Sequence, residues 1–149
     1  MTSPLRITFD VACSAEHAFT MWTSRIGTWW PSDHSVSGED DILVVLESGV
    51  GGRIFERTHT GIEHDWGVVT VWEPPKRLGY LWHLGRDSDS ATEVEVGFVR
   101  RGPQNTRVEV EHRGWEQLGQ MADTWRDRNR IGWESLLSHF VAAIQKGDA

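Results

Sequence analysis

ATEVEVGFVRRGPQNTRVEVEH, residues 91–112, decides the fold of this 149-residue chain. On either side of RRGPQN, a turn signal, apolar and charged residues alternate nearly one for one. That is the period of a strand with one buried and one wet face. Val94, Val96 and Phe98, with Val108, Val110 and His112, are therefore expected to face one way. Glu93, Glu95, Arg107, Glu109 and Glu111 are expected to face water. A sheet with one wet face is antiparallel.

Working outward, period two continues upstream. DILVVLE (41–47), RIFERTH (53–59), HDWGVVTVW (64–72) and RLGYLWHL (77–84) read as strands, and LRITFDVA (5–12) as the first of the chain. Pro74 and Pro75 end the third of these because they lack amide donors. SGVGG joins 41–47 to 53–59 as a hairpin turn. It lacks the GK[ST] ending of a phosphate loop and leads into a strand, whereas phosphate cradles open a helix. Ser14 is a good N-cap and Glu16 suits the first turn of a helix over 15–24, with Ala18, Phe19 and Trp22 at helical spacing. A second short helix over 24–29 stops before Pro31. SDHSVSGED (32–40) is a polar loop.

The end of the chain changes period. Trp125, Asn129, Trp133, Leu136, Leu137, Phe140, Val141 and Ile144 trace one stripe of a helix over 123–145. Trp115, Leu118 and Met121 form an earlier turn, with Gly119 a break. A sheet wet on one face must bury the other, and this helix is the available cover. The class is α+β. A curved antiparallel sheet of about seven strands wraps around the long C-terminal helix, with two short helices after the first strand, in a single domain over 1–149.

Composition narrows the partners. Hydrophobic residues make up 38% and charged residues 25%, which excludes a disordered chain, and no apolar run is long enough for a transmembrane helix. The net charge of −7 disfavours nucleic acid and an anionic membrane surface alike. TWRDRNR (124–130) is a solvated helix face with interleaved acids. MTSPLRITFDV shows no basic region followed by an apolar run, so no secretory signal is expected. Cys13 is unpaired, as a reducing cytoplasm allows, and reads as an apolar filler at the end of a strand.

TWWP (28–31), GGRIFER (51–57), HDWG (64–67), WEPPKRL (72–78), EHRGW (111–115) and GWESLL (132–137), in that order, resemble the START-like superfamily. It is also called SRPBCC, the helix-grip or birch-pollen-allergen fold. Within it the chain is most similar to bacterial homologues of the activator of heat-shock-protein-ninety ATPase. The resemblance covers nearly the whole chain. It implies a cavity under the long helix; relatives there bind lipids, sterols, hormones or polyketides, and a few are cyclases or hydrolytic enzymes.

The residues themselves point to a container with an aromatic wall. Nine tryptophans exceed what a compact core of this size needs, and large rings often frame cavities. Trp22 and Trp133 are assigned to the core. Trp30, Phe55, Trp66, Tyr80, Trp82, Phe98 and Trp125 are expected to line the pocket, with His112 and Asn129 as polar contacts. His112 is the one histidine placed on the covered face, so it is also a candidate acid or base; a bond to a backbone carbonyl is its alternative. Glu56 is the best carboxylate candidate, costly if it faces in without a partner; exposed edge charge is its default. The orientations of Glu56 and His83 are open. His59 and His64 straddle a turn, no HExxH is present, and neither a metal site nor any cofactor is expected. No G-x-S-x-G elbow supports Ser135 or Ser138 as a nucleophile.

Three functions follow. The first is non-covalent binding of a small apolar or aromatic molecule between sheet and helix. The second, implied by the family resemblance, is a chaperone-ATPase-activating interaction module. The third is a cyclase- or hydrolase-type enzyme using the same cavity. A cytoplasmic location is expected, and a homodimer is left open.

Overall fold

The computed structural model describes residues 3–83 and 91–146. Its order is β1 (Leu5–Val11), α1 (Ala15–Trp22), a 3-10 turn (Ile26–Thr28), β2 (Ile42–Leu46), β3 (Arg53–Thr58), β4 (Glu63–Glu73), β5 (Arg77–Trp82), β6 (Thr92–Gly102), β7 (Asn105–Arg113), a second 3-10 segment (Trp115–Met121) and α2 (Ala122–Lys146). The strands form one antiparallel sheet in the order β1-β7-β6-β5-β4-β3-β2. The α+β fold expected from alternation and stripe is what the chain adopts, in the helix-grip form that the family resemblance implies.

The alternation decides the packing. Val94, Val96, Phe98, Val108, Val110 and His112 are all buried on the covered face. Across from them, α2 contributes Trp133, Leu136, Leu137, Phe140 and Ile144. Phe140 sits at the centre, edge-on to Phe9, Trp22 and Trp29 at 5.0–6.1 Å between ring centroids. Edge-on aromatic pairs of this kind add to what area burial alone provides. On the wet face Arg77 and Arg113 both reach Glu95, in a ladder of exposed ion pairs worth little each.

Ser14 caps α1, its hydroxyl accepting from the His17 N–H at 3.1 Å, and α1 then ends at Trp22, two residues short of the expected span. Gly119 is the break before α2: its φ of 62° and ψ of −131° turn the chain into the long helix. Gly67 answers a different need, because a Cβ there would lie 1.9 Å from the Leu81 carbonyl oxygen. The bare backbone lets β4 close on β5 beside Trp66 and Trp82. Cys13 is buried, and burial pushes its thiol up to about 11, partly offset by the Ala18 backbone N–H. It is an inert filler.

Candidate functional site

Most of the space under α2 is filled by rings. Trp66 packs on Trp30 and Trp82 at 5.2 and 5.8 Å, Tyr80 on Trp82 at 5.5 Å, and Phe98 on Phe19 and Trp22 at 5.4 and 6.2 Å. Trp22 stacks on Trp133 at 6.0 Å and 27°. Its indole N–H is buried with no hydrogen-bond partner among the described residues. Burial pushes the Tyr80 phenol above its ordinary value, and the Trp22 indole pulls the other way. Trp30, Trp66, Tyr80 and Phe98 thus form core rather than wall.

What stays open is a groove of about 220 Å³ between β5, the loop after Trp30 and the first half of α2. His34, Trp82, Trp125, Arg128, Asn129, Gly132, Trp133 and Leu136 line it. Of the residues expected at the site, Trp82, Trp125 and Asn129 come together here. Asn129 donates its amide Nδ2 to the Trp125 carbonyl, one turn back, at 2.9 Å, so its Oδ1 is the acceptor left over. Arg128 lies over the Trp125 ring at 5.4 Å, and no Asp or Glu lines the groove among the described residues. Gly132 is a helix-interior glycine whose added Cβ would meet nothing within 4 Å.

A wider depression of about 970 Å³ lies over Gly97 beside the outward-facing Arg6, Thr8, Glu109 and Glu111. Two of its charge pairs close on themselves, Arg6–Glu111 at 3.3 Å and Arg77–Glu95 at 2.8 Å, and no tryptophan lines it among the described residues. The smaller groove has the aromatic walls and the few polar groups that a ligand site combines.

Three expected site residues are placed elsewhere or otherwise engaged. Phe55 is buried on the opposite face of the sheet, under the guanidinium groups of Arg53 at 4.2 Å and Arg57 at 5.5 Å. β3 keeps its alternation here, with Ile54 and Glu56 facing in; Phe55 is buried because Arg53 and Arg57 cover it, and the extra residue of the register shift is Trp66 on β4.

Glu56 is not an exposed edge charge; it is fully buried on the inner face. It has no cation. Oε1 accepts from the Val36 N–H and, at 2.9 Å, from the Trp66 indole; Oε2 accepts from the Ser37 N–H at 3.1 Å. Burial pushes its pKa up, and the bonds from Ser37, Val36 and Trp66 outweigh it, leaving the carboxyl below its ordinary value. With its oxygens so engaged, Glu56 clamps the loop after Trp30 onto the sheet.

His112 is also fully buried. Its Nδ1 accepts from the Trp133 indole N–H at 3.0 Å, so the proton of the neutral ring sits on Nε2 and is donated to the Thr92 hydroxyl at 2.6 Å. Thr92 passes its own proton to the Trp82 carbonyl at 3.2 Å. Neither ring nitrogen is left for a ligand, and the bond to a backbone carbonyl expected as the alternative is made one step on, through Thr92.

His34 lies in the polar loop and is a groove-lining group that sequence reasoning passes over. Its N–H donates to Pro31 O at 3.1 Å, and its carbonyl accepts from the Trp30 indole at 2.7 Å. Its Nδ1 lies 3.0 Å from Asp33 Oδ1, and this bond is the leading cause that holds the Asp33 carboxyl below its ordinary value. Arg128 and Gly132 were passed over too; the available signal was a glycine inside an unbroken helical stripe. Among the described residues no three His, Cys, Asp or Glu side chains form a metal-ligand group.

Known proteins share this architecture. The anthrahydroquino-γ-pyrone synthase Txn09, solved in complex with a molecule designated SUM, is 36% identical with a TM-score of 0.61, over 83% of this chain and 84% of that one. The self-sacrificing resistance protein CalC from Micromonospora echinospora is 27% identical with a TM-score of 0.71, over 96% and 94%. Protein MLL2253 from Mesorhizobium loti, at 15% identity and a TM-score of 0.72 over 99% and 100%, shares the fold. No curated protein matches. The model of the family described as Activator of Hsp90 ATPase homolog 1-like protein matches residues 12–145. The chain belongs to that family, within the START-like, helix-grip superfamily.

Proposed function

We propose that this chain binds a small aromatic molecule in the groove between Trp82 and Trp125. One observation carries the reading: with nearly all the covered interior packed by rings, the groove left between the described residues is walled by the indoles of Trp82, Trp125 and Trp133 and rimmed by His34, Arg128 and Asn129. At about 220 Å³ it is smaller than the roughly 300–1,000 Å³ of drug-sized sites, so it suits a single ring or a small fused one. The 36% identity to a synthase named for a fused aromatic product supports an aromatic ligand class. The interaction-module reading rests on the family's description alone. We take the chain as one domain acting in the cytoplasm; no described helix is long and apolar enough to cross a membrane.

Titration with naphthalene- and quinone-type compounds, followed by tryptophan fluorescence, tests this. Saturable quenching is expected. Trp82→Ala should weaken it by about 30-fold, the equivalent of about 2 kcal/mol for a desolvated aromatic contact. Absence of quenching across the set would move the chain to the interaction-module reading.

A further inference from the structure

We infer that His34 is the acid–base residue of this groove: it takes the proton of a hydroxyl on a bound aromatic ring, and Arg128 holds the oxygen anion that results. The inference rests on the groove being the ligand site. It goes further in assigning chemistry and a ligand class, an aromatic phenol or enol.

The tautomer comes first. Asp33 Oδ1 can only accept, so Nδ1 of His34 carries the proton of the neutral ring and Nε2 carries the lone pair. A histidine whose second nitrogen is held by a carboxylate is the arrangement in which an imidazole serves as base, because the carboxylate orients the ring and stabilises its charged form. Position comes next. Both backbone polar groups of His34 are bonded, to Pro31 and Trp30, and its loop is fastened two residues on by the Glu56 carboxylate. The ring is thus pre-set at the groove wall before any ligand arrives.

Charge completes the argument. The chain carries −7, yet the polar lining of the groove is His34, Arg128 and Asn129 without a carboxylate among the described residues. The titratable groups around His34 are Asp33 beside it, Arg128 across the groove, and His139 on α2, which acts on Asp33. The step balances internally. The O–H bond of the ligand breaks with its electron pair left on oxygen, an N–H bond forms at Nε2, Asp33 faces the imidazolium and Arg128 the oxyanion.

4-Nitrophenol is the probe, since its phenolate absorbs in the visible, and 4-nitroanisole is its non-ionisable counterpart. At saturating protein, the phenolate band of bound 4-nitrophenol should appear at least one pH unit below that of the free compound, a tenfold shift in ionisation. His34→Asn should remove most of the band at that pH, and Asp33→Asn, at an exposed position, should reduce it without touching the ring. If bound 4-nitrophenol titrates like the free compound, or His34→Asn keeps the early band, the inference is wrong while the binding reading stands. If neither 4-nitrophenol nor 4-nitroanisole binds, both fall.

Discussion

Trp133 donates its indole N–H to Nδ1 of His112 at 3.0 Å, and so fixes which nitrogen of a fully buried ring carries the proton. The bond ties α2 to β7, and through Thr92 the same ring ties β7 to β6 and to the Trp82 carbonyl. The wall of the groove and the core beneath it are thereby one hydrogen-bonded unit. His112→Ala would leave the Trp133 donor unpaired and open a cavity. A loss of about 3 kcal/mol or more in urea denaturation is expected. A His112 that served only a ligand would leave the unliganded protein's stability unchanged.

The two stacked indoles should respond differently to the same change. Trp22 buries an N–H without a partner among the described residues, whereas the N–H of Trp133 is used. Trp22→Phe removes an unsatisfied donor; Trp133→Phe strands His112. Trp133→Phe is expected to cost about 1–3 kcal/mol more than Trp22→Phe, measured by the same denaturation series. Equal costs would mean that ring volume, rather than hydrogen bonding, decides both sites.

Glu56 gives the stability a pH dependence. Its carboxyl sits below its ordinary value in the folded chain, so as pH falls the unfolded chain takes up the proton first. The contribution is fully present above the ordinary carboxylate range, near ~4.3, and is lost as pH drops through the lower folded value. Glu56→Gln puts an amide NH₂ against N–H donors and should cost about 1.5–3 kcal/mol at neutral pH. Its stability should then fall less steeply than that of the unsubstituted protein between neutral pH and pH ~3. Parallel curves would show that other carboxylates govern acid unfolding.

Gly132 should reveal a compromise between helix and groove. A glycine in a helix interior costs about 0.5–1 kcal/mol against alanine, and here the Cβ would meet open space. Gly132→Ala is therefore expected to raise the melting temperature while weakening aromatic ligands. Destabilisation by alanine would mean that the position is packed after all.

The fold was legible because its signals are local. Glu93 to Phe98 and Arg107 to His112 alternate, and the helix stripe from Trp125 to Ile144 is unbroken, so sheet, helix and the burial of His112 follow from spacing. The site was legible only where it lies on those elements, at Trp82, Trp125 and Asn129. Phe55 was assigned to the wrong face because Ile54 and Phe55 are both apolar, so the alternation of this strand does not say which of them faces in. Glu56 finds its donors some 20 residues earlier in the chain, at Val36 and Ser37, and that pairing in turn shapes the loop that presents His34. Neither partnership leaves a periodic trace. His112 shows the same limit: its face follows from alternation, but its engagement by Trp133, 21 residues on, does not.

The most direct measurement is a pair of calorimetric titrations with whichever aromatic compound quenches tryptophan fluorescence, on the unsubstituted protein and on Gly132→Leu. The leucine side chain would grow from the bare helix position into the open space of the groove, displacing no neighbour of the Cβ. Loss of binding by at least about 30-fold, with the melting temperature held or raised, is the expected result. Undiminished affinity in a folded Gly132→Leu protein would contradict the account, because the ligand would then lie somewhere other than between Trp82 and Trp125.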